Sequence, residues 1–285
     1  MRNFFTLIVF LIPIICNSQS LGVDRTERLN KSVVRILIDT IPSGTGFFVS
    51  DSGWVATCQH VIEPACIRDK TTKAITGLKK IYIEFQNGEK IEMGILTHLL
   101  NDGYKNSLSY DYSLLKVQSK PKTKYKTLKI GTWADINEGD LIYSCGYPLG
   151  IKQRFISQGL LSTKWKDEIS LFSANGSIDT IKREVAWLDL TMNKGNSGGP
   201  VIKIGKSPDE DVVIGIATFI LNPYANTSKA LAEYLPNRGI DMQSEGISQN
   251  KLMQLLFEAI SNNSIGVSGC LSINYVSELL KSMYP

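Results

Sequence analysis

Apolar residues in this chain come in short runs separated by turn residues, the pattern of β-strands rather than of long helices. Ser32–Ile38, Lys80–Phe85 and Lys90–Ile95 each read as a strand, and Asn87-Gly88 between the last two is a strong hairpin signal. Gly44–Val49 and Trp54–Gln59 flank an Asp51-Ser52-Gly53 turn, and Ser157–Ser162 and Val213–Thr218 add further strands. A parallel α/β sheet needs amphipathic helices between its strands, and these are missing, so the expected class is all-β. Helical periodicity is clearest at Lys251–Ile260, with Ser248 as its N-cap, and a short helix is expected at Lys229–Leu235.

The N-terminus follows another pattern. Arg2 and Asn3 precede the apolar run Phe4–Ile15, and Cys16-Asn17-Ser18 follows it. A spanning helix wants ~20 apolar residues, and this run is shorter and interrupted by Pro13. Residues 1–18 are therefore expected to be a cleaved signal peptide, with the protein exported to the periplasm or medium and holding no stable membrane anchor. Ile15 before Cys16 argues against lipidation, which wants a small residue there. Export permits disulfides. Cys58, Cys66, Cys145 and Cys270 remain; a small loop bridging Cys58 to Cys66 is the favoured pairing, and Cys145 reads as a free core thiol.

Charge narrows the partners. The 285 residues carry 31 Lys and Arg against 27 Asp and Glu, a net charge of +4, with the acids scattered throughout. No broad basic face is available for nucleic acid, and the basic stretch Lys120–Lys129 is expected to be a solvated connection between two halves of the fold. No metal or other cofactor is expected, since two distant histidines and scattered acids lack ligand spacing.

The chemistry concentrates at Asn193-Lys194-Gly195-Asn196-Ser197-Gly198-Gly199-Pro200, a serine wrapped in glycines between two strand-like runs. A serine hydroxyl is a poor nucleophile unless a base takes its proton and donors receive the oxyanion. Gly195 and Ser197 are the candidate N–H donors of that oxyanion hole, because a residue without Cβ accepts the backbone conformation such a turn demands. The base must come from His60, at a strand end, or His98, whose apolar neighbours suggest no chemical role. Asp111, at the head of the apolar run Ser113–Val117, is the candidate carboxylate; Asp102, in a polar loop, is a weaker rival. The order His60, Asp111, Ser197 is that of the chymotrypsin-type triad.

With Gly44–Val49, Trp54–Val61, Asp111–Val117, Gly139–Gly150 and Asp189–Val201 in view, the chain resembles trypsin-like serine proteases of the bacterial HtrA/Deg type over roughly residues 30 to 260. The resemblance implies two packed six-stranded antiparallel β-barrels with a C-terminal helix, His60 and Asp111 on the first barrel and Ser197 on the second. It implies an endopeptidase working through an acyl-enzyme on protein or peptide substrates. It makes Lys251–Ile260 the closing helix of a domain spanning 19–260, and leaves 261–285 as a tail of unknown role, too short for a PDZ domain. The position six before the nucleophile, Thr191, falls at the base of the specificity pocket, with Ile216, Ala217 and Thr218 on the adjacent strand. A small, uncharged pocket favours cleavage after small or medium aliphatic residues. Glutamyl endopeptidases are similar too, but their pocket histidine has no counterpart after His98. Phe219–Gly239 reads as an insertion beside the pocket. The polar segment Gln19–Lys31 is short for a trimerisation element, so a monomer is favoured over a homo-oligomer. A second class of function is a protease-like binding module, or a latent enzyme whose oxyanion loop awaits a partner.

Overall fold

A computed structural model describes residues 21–72, 74–95, 110–118, 124–172, 178–220, 243–244, 247–248, 251–253, 255–256 and 266–283. The expected signal peptide, the Lys229–Leu235 helix and most of the Phe219–Gly239 insertion lie outside them. The chain opens with helix α1 (Gly22–Ser32) and then forms strands β1 (Val33–Ile38), β2 (Ile41–Ser50) and β3 (Trp54–Thr57), followed by the one-turn helix α2 (Gln59–Ile62). A small β4 (Cys66–Arg68) and β5 (Ile75–Leu78) hairpin comes next. It leads to β6 (Ile81–Glu84), β7 (Lys90–Ile95) and β8 (Ser113–Val117), which close a six-stranded antiparallel barrel in the order β1-β2-β3-β8-β7-β6. The expected hairpin turn is present, with Gly88 at φ 87° where only glycine is comfortable.

The second barrel is built from β9 (Leu141–Gly146), β10 (Phe155–Phe172), β11 (Ile178–Asp189), β12 (Pro200–Lys203), β13 (Val212–Ile220) and β16 (Val267–Ser272), closed in the order β10-β11-β16-β13-β12-β9. A separate ribbon pairs β14 (Gln243–Ser244) with β15 (Ile247–Ser248). Helix α3 (Asn274–Met283) ends the described chain.

Strand β1 is buried along its whole length because one face fills the first barrel and the other is covered by α1 and the second barrel. This explains why apolar residues stand on both of its faces, broken only by Arg35, in contrast to the alternation of a half-exposed strand. Its one charge, Arg35, forms a buried ion pair with Glu84 on the neighbouring strand β6. Alternation does hold in the second barrel. Ile142, Val201, Ile214, Ala217 and Cys270 fill its interior, while Tyr143, Ile202, Val213, Ile216 and Leu271 join the cluster that fills the first barrel. The two barrels are thus welded by apolar packing.

Two expectations change. Within the expected tail, the described residues 266–283 are no detached segment: β16 pairs with β11 and β13 and completes the second barrel, and α3 buries Val276 in the shared core. The closing helix is therefore α3. At 251–260 the described residues 251–253 and 255–256 are helical, and Ser248 Oγ accepts the Lys251 N–H at 3.0 Å, as an N-cap should. The basic connection, described from residue 124, is also less solvated than its lysines suggest. Tyr125 stacks on Phe48 with ring centroids 4.5 Å apart, Leu128 is buried, and Lys129 O accepts the Val213 N–H of the second barrel.

Removing residues 261–285 takes an interior strand from a closed barrel, which exposes two ladders and part of the core. The truncated protein is expected to show no cooperative thermal transition by circular dichroism; a native-like transition would contradict the role of β16.

Candidate active site

The pairing of β3 with β8 builds the first half of the site. In this antiparallel ladder Thr57 stands opposite Ser113, so the end of β3 and the start of β8 lie side by side. His60 follows three residues after Thr57, on α2, and Asp111 precedes Ser113 by two, which brings them together. Asp111 spans the histidine: its Oδ2 lies 2.8 Å from His60 Nδ1, and its Oδ1 lies 3.0 Å from Nδ1 and accepts the His60 backbone N–H at 2.9 Å. This fixes the ring through two links and favours the tautomer with the proton on Nδ1. Asp111 sits in the left-handed region, at φ 56°, a conformation that aspartate tolerates better than most residues. Its flanks are clamped: the Tyr110 and Tyr112 rings stack on Tyr275 of α3, with centroids 4.5 and 5.9 Å away.

Ser197 comes from the turn between β11 and β12, on the second barrel. Two glycines make that turn possible. Gly195 has φ 102°, and a Cβ there would meet Tyr147 O at 2.5 Å; Gly198 has φ 85°, and its Cβ would lie 2.2 Å from both Thr45 O and Thr57 Oγ1. Lys194 O accepts the Leu149 N–H at 2.6 Å. In a trans peptide the N–H points opposite to the C=O, so the Gly195 N–H is turned away from the Leu149 loop. Neither this N–H nor that of Ser197 has an acceptor among the described residues. Ser197 Oγ makes no hydrogen bond among them either, but Ser197, Gly195 and the 47% exposed His60 side chain border one cavity of about 370 Å³. His98 and Asp102 fall outside the described residues.

Thr45 on β2 joins the two halves, a role the Gly44-Thr45-Gly46 motif only hints at. Its N–H donates to Ser197 O at 2.9 Å, its hydroxyl donates to Gly195 O at 2.7 Å and accepts the Tyr147 N–H at 3.0 Å, and its carbonyl accepts the Thr57 hydroxyl at 2.7 Å. A second residue with no local signal is Ser268 on β16. Its fully buried hydroxyl donates to Leu190 O and accepts the Met192 N–H, pinning the backbone on both sides of Thr191.

The expected pocket residues separate. Ile216 and Ala217 are 0% and 1% exposed and face the core, because β13 alternates between the barrel interior and the inter-barrel contact. Of the four, Thr191 is exposed and Thr218 half-buried, and these two alone remain accessible.

All four described cysteines are free thiols, which corrects the favoured Cys58–Cys66 bridge. The reason is direction. The buried Cys58 thiol donates inward to Ala217 O at 3.2 Å and approaches Thr218 Oγ1, while Cys66 opens β4. Burial, reinforced by the Asp111 carboxylate, pushes the Cys58 thiol well up from its ordinary value; burial also pushes Cys145 and Cys270 up to about 12. Spacing along the chain concealed one grouping: ligand-capable atoms of Cys58, His60 and Asp111 lie within 4.8 Å of one another. In this arrangement they are engaged in the hydrogen bonds just described.

Residues 44–215 match a family model described as a trypsin-like peptidase domain. Human serine protease HTRA3 is 29% identical over 178 residues, covering 62% of this chain and 33% of that protein. A probable periplasmic serine endoprotease, DegP-like, of Chlamydia trachomatis is 27% identical over 201 residues, covering 70% of this chain and 33% of the other. The chain thus spans about a third of the length of these curated relatives. Among solved structures, the HtrA-type protease AlgW with tripeptide superposes with a TM-score of 0.56 at 17% identity, covering 91% of this chain and 62% of that one.

Two outcomes follow from this geometry. Thr45→Val leaves Gly195 O and the Tyr147 N–H without their partner, so chemical denaturation should record a loss of about 2–4 kcal/mol, with Thr45→Ser within about 1 kcal/mol of the parent. In thiol mapping of the non-reduced native protein, Cys66, the one cysteine of the four that is not buried, should alkylate first and the others only on unfolding; recovery of a Cys58–Cys66 cross-linked peptide would overturn the structural assignment.

Proposed function

The chain belongs to the trypsin-like peptidase family, and from that premise we propose that it is an exported serine endopeptidase that hydrolyses peptide bonds through His60, Asp111 and Ser197. The observation that carries the proposal is the Asp111 carboxylate spanning His60 Nδ1 and N–H, with His60 bordering the cavity that Ser197 and Gly195 share. With Nδ1 holding a proton toward Asp111, Nε2 is the free base. His60 then removes the Ser197 proton as Oγ attacks the scissile carbonyl, and Asp111 stabilises the imidazolium. The Gly195 and Ser197 N–H groups receive the oxyanion; having no partners among the described residues, they need not break existing bonds to do so. His60 protonates the departing amine, an acyl-enzyme remains on Ser197, and water, deprotonated by His60, releases it.

On the acyl side, exposed Thr191 and half-buried Thr218 offer no carboxylate to a basic residue, which supports cleavage after small or medium aliphatic residues. Export rests on the N-terminal apolar run, and the periplasmic naming of the DegP-like relative favours it. No helix among the described residues is long and apolar enough to cross a membrane.

A second reading, a latent enzyme or protease-like binding module, is favoured by one observation, the absence of a Ser197 Oγ hydrogen bond to His60. Such links often tighten only when substrate binds. Labelling with a fluorophosphonate probe separates the readings. The protein lacking residues 1–18 should be labelled, Ser197→Ala should not, and Asp111→Asn should react roughly 10³–10⁴-fold more slowly. No labelling of the parent protein would favour the latent reading, and labelling retained in Ser197→Ala would refute the nucleophile.

A further inference from the structure

Two cavities meet at the nucleophile loop. The one beside His60 and Ser197, about 370 Å³, is walled by Ile38, Ile41, Pro42 and Pro64, with Lys79 and Lys194 at its border. The other, about 400 Å³, shares Pro42, Lys194 and Gly195 with it and runs on to Tyr147 and Leu149. None of Thr191, Ile216, Ala217 and Thr218 borders either cavity. The cavities therefore lie away from the strand assigned to the acyl half of a substrate, the first beside β2 and His60 and the second between β2 and residues 147–150 of the second barrel. His60, which protonates the departing amine, opens directly onto the first of them.

Their chemistry is distinctive. Ile41 and Leu149 are 68% and 64% exposed, large apolar side chains standing in solvent beside the cavity walls. Lys79 and Lys194 are exposed, and neither has a carboxylate partner among the described residues. Glu63, one residue from Pro64, is already paired with Arg68 at 2.8 Å. No aspartate or glutamate borders either cavity, so the charged side chains on their walls are Lys79 and Lys194; Asp111 lies behind His60, and Asp39, next to Ile38, accepts the Lys80 N–H.

We infer that this site selects its substrate on the leaving side: an aliphatic residue directly after the scissile bond, packed against Ile41 and Pro42, followed within two residues by a carboxylate held between Lys79 and Lys194. The inference rests on the catalytic assignment proposed above. The carboxylate can belong to an Asp or Glu side chain or to the end of the polypeptide. Charge complementarity commits the occupant, because a basic leaving segment would meet two like charges and no acid.

The leaving half departs on acylation, so its recognition appears in kcat/KM of peptides and is absent from ester substrates that lack it. Internally quenched peptides with one common acyl half and Leu-Asp, Leu-Asn or Leu-Lys on the leaving side make the measurement, each with a free and an amidated C-terminus. Asp is expected over Asn by about 2- to 5-fold for each lysine engaged, the range of exposed ion pairs, and over Lys by more, with the preference shrinking as salt rises. A free-terminus advantage in the Asn series marks capture of the terminal carboxylate; its absence marks the side chain. The double variant Lys79→Glu, Lys194→Glu should reverse the Asp-to-Lys ratio, a comparison made within each protein and so independent of its overall turnover. The same leaving-half peptides are titrated onto Ser197→Ala by fluorescence anisotropy, which reads the preference without catalysis. Equal handling of Asp, Asn and Lys in both assays overturns the inference, and fluorophosphonate labelling of the protein with Ser197 intact would leave the catalytic assignment standing. A preference that survives the double charge reversal overturns it equally.

Discussion

Everything at the site depends on one fully buried side chain and its backbone, Thr45. His60 and Asp111 ride on the first barrel and the Ser197 loop on the second, so a shift between barrels would change the distance between them. Such misplacement is costly in any reaction that relies on positioning. Thr45 belongs to the first barrel yet holds Ser197 O and Gly195 O on the second, and it also tethers Tyr147 and Thr57. Because Gly198 has no side chain, its backbone packs directly on the Thr45 carbonyl. The hydrophobic core reinforces this from a distance, since the cluster filling the first barrel continues through Tyr143, Ile202, Val213 and Leu271 of the second. Apolar packing sets the distance between barrels, and the directional bonds of Thr45 set the register.

A similar division of labour operates at Asp111. Left-handed backbone at a non-glycine residue persists where the surroundings over-determine it. Here Tyr110 and Tyr112 grip Tyr275, whose hydroxyl accepts the Glu184 N–H of β11 at 2.7 Å. The helix that ends the described chain thus steadies the carboxylate, and β11 steadies the helix. The conformation of a catalytic candidate in the first barrel is held by the second.

This distribution explains what could be read along the chain and what could not. Strand alternation, the Asn87-Gly88 turn and the glycines around Ser197 are local signals, and they marked strands, an all-β class and the loop, while the two-barrel arrangement came with the family resemblance. The His60–Asp111 pairing was read from the order of the triad, and the antiparallel β3–β8 ladder is what turns a separation of 51 residues into adjacency at one strand end. Contributions from barrel closure left no such mark. Val267–Ser272 is short and rich in small residues, and only its two partners, β11 and β13, make it a strand. The sites of Ser268 and Tyr275 follow from that closure. Ile216 and Ala217 misled for a related reason, since which face of β13 is covered depends on a neighbouring barrel that no local pattern announces. Cys58 looked close to Cys66 in sequence, yet the turn of α2 sends the two thiols apart.

Polar ties from the N-terminal part of the chain complete the argument that the second barrel is held from the first. Arg25 on α1 reaches across to Asp211, donating through Nε at 2.7 Å and through its second nitrogen at 3.1 Å, and Asp211 also accepts the Tyr143 hydroxyl and the Gly205 N–H. The Arg35–Glu84 pair extends to Gly150 O at 3.2 Å, beside the Leu149 N–H that holds Lys194 O. Buried ion pairs add little net stability, because desolvation offsets most of their attraction, but they discriminate sharply between right and wrong geometries. That is the quality the serine loop needs. Two turn bonds, Asn196 N–H to Asn193 O and Gly199 N–H to Asn196 O, shape it from within, while the Gly195 and Ser197 N–H groups have no acceptor among the described residues, so much of its placement comes from outside. Thr45 and Arg35 dictate it from one barrel, through bonds to Ser197, Gly195 and the Gly150 loop, while α1 keeps the other barrel from rotating away.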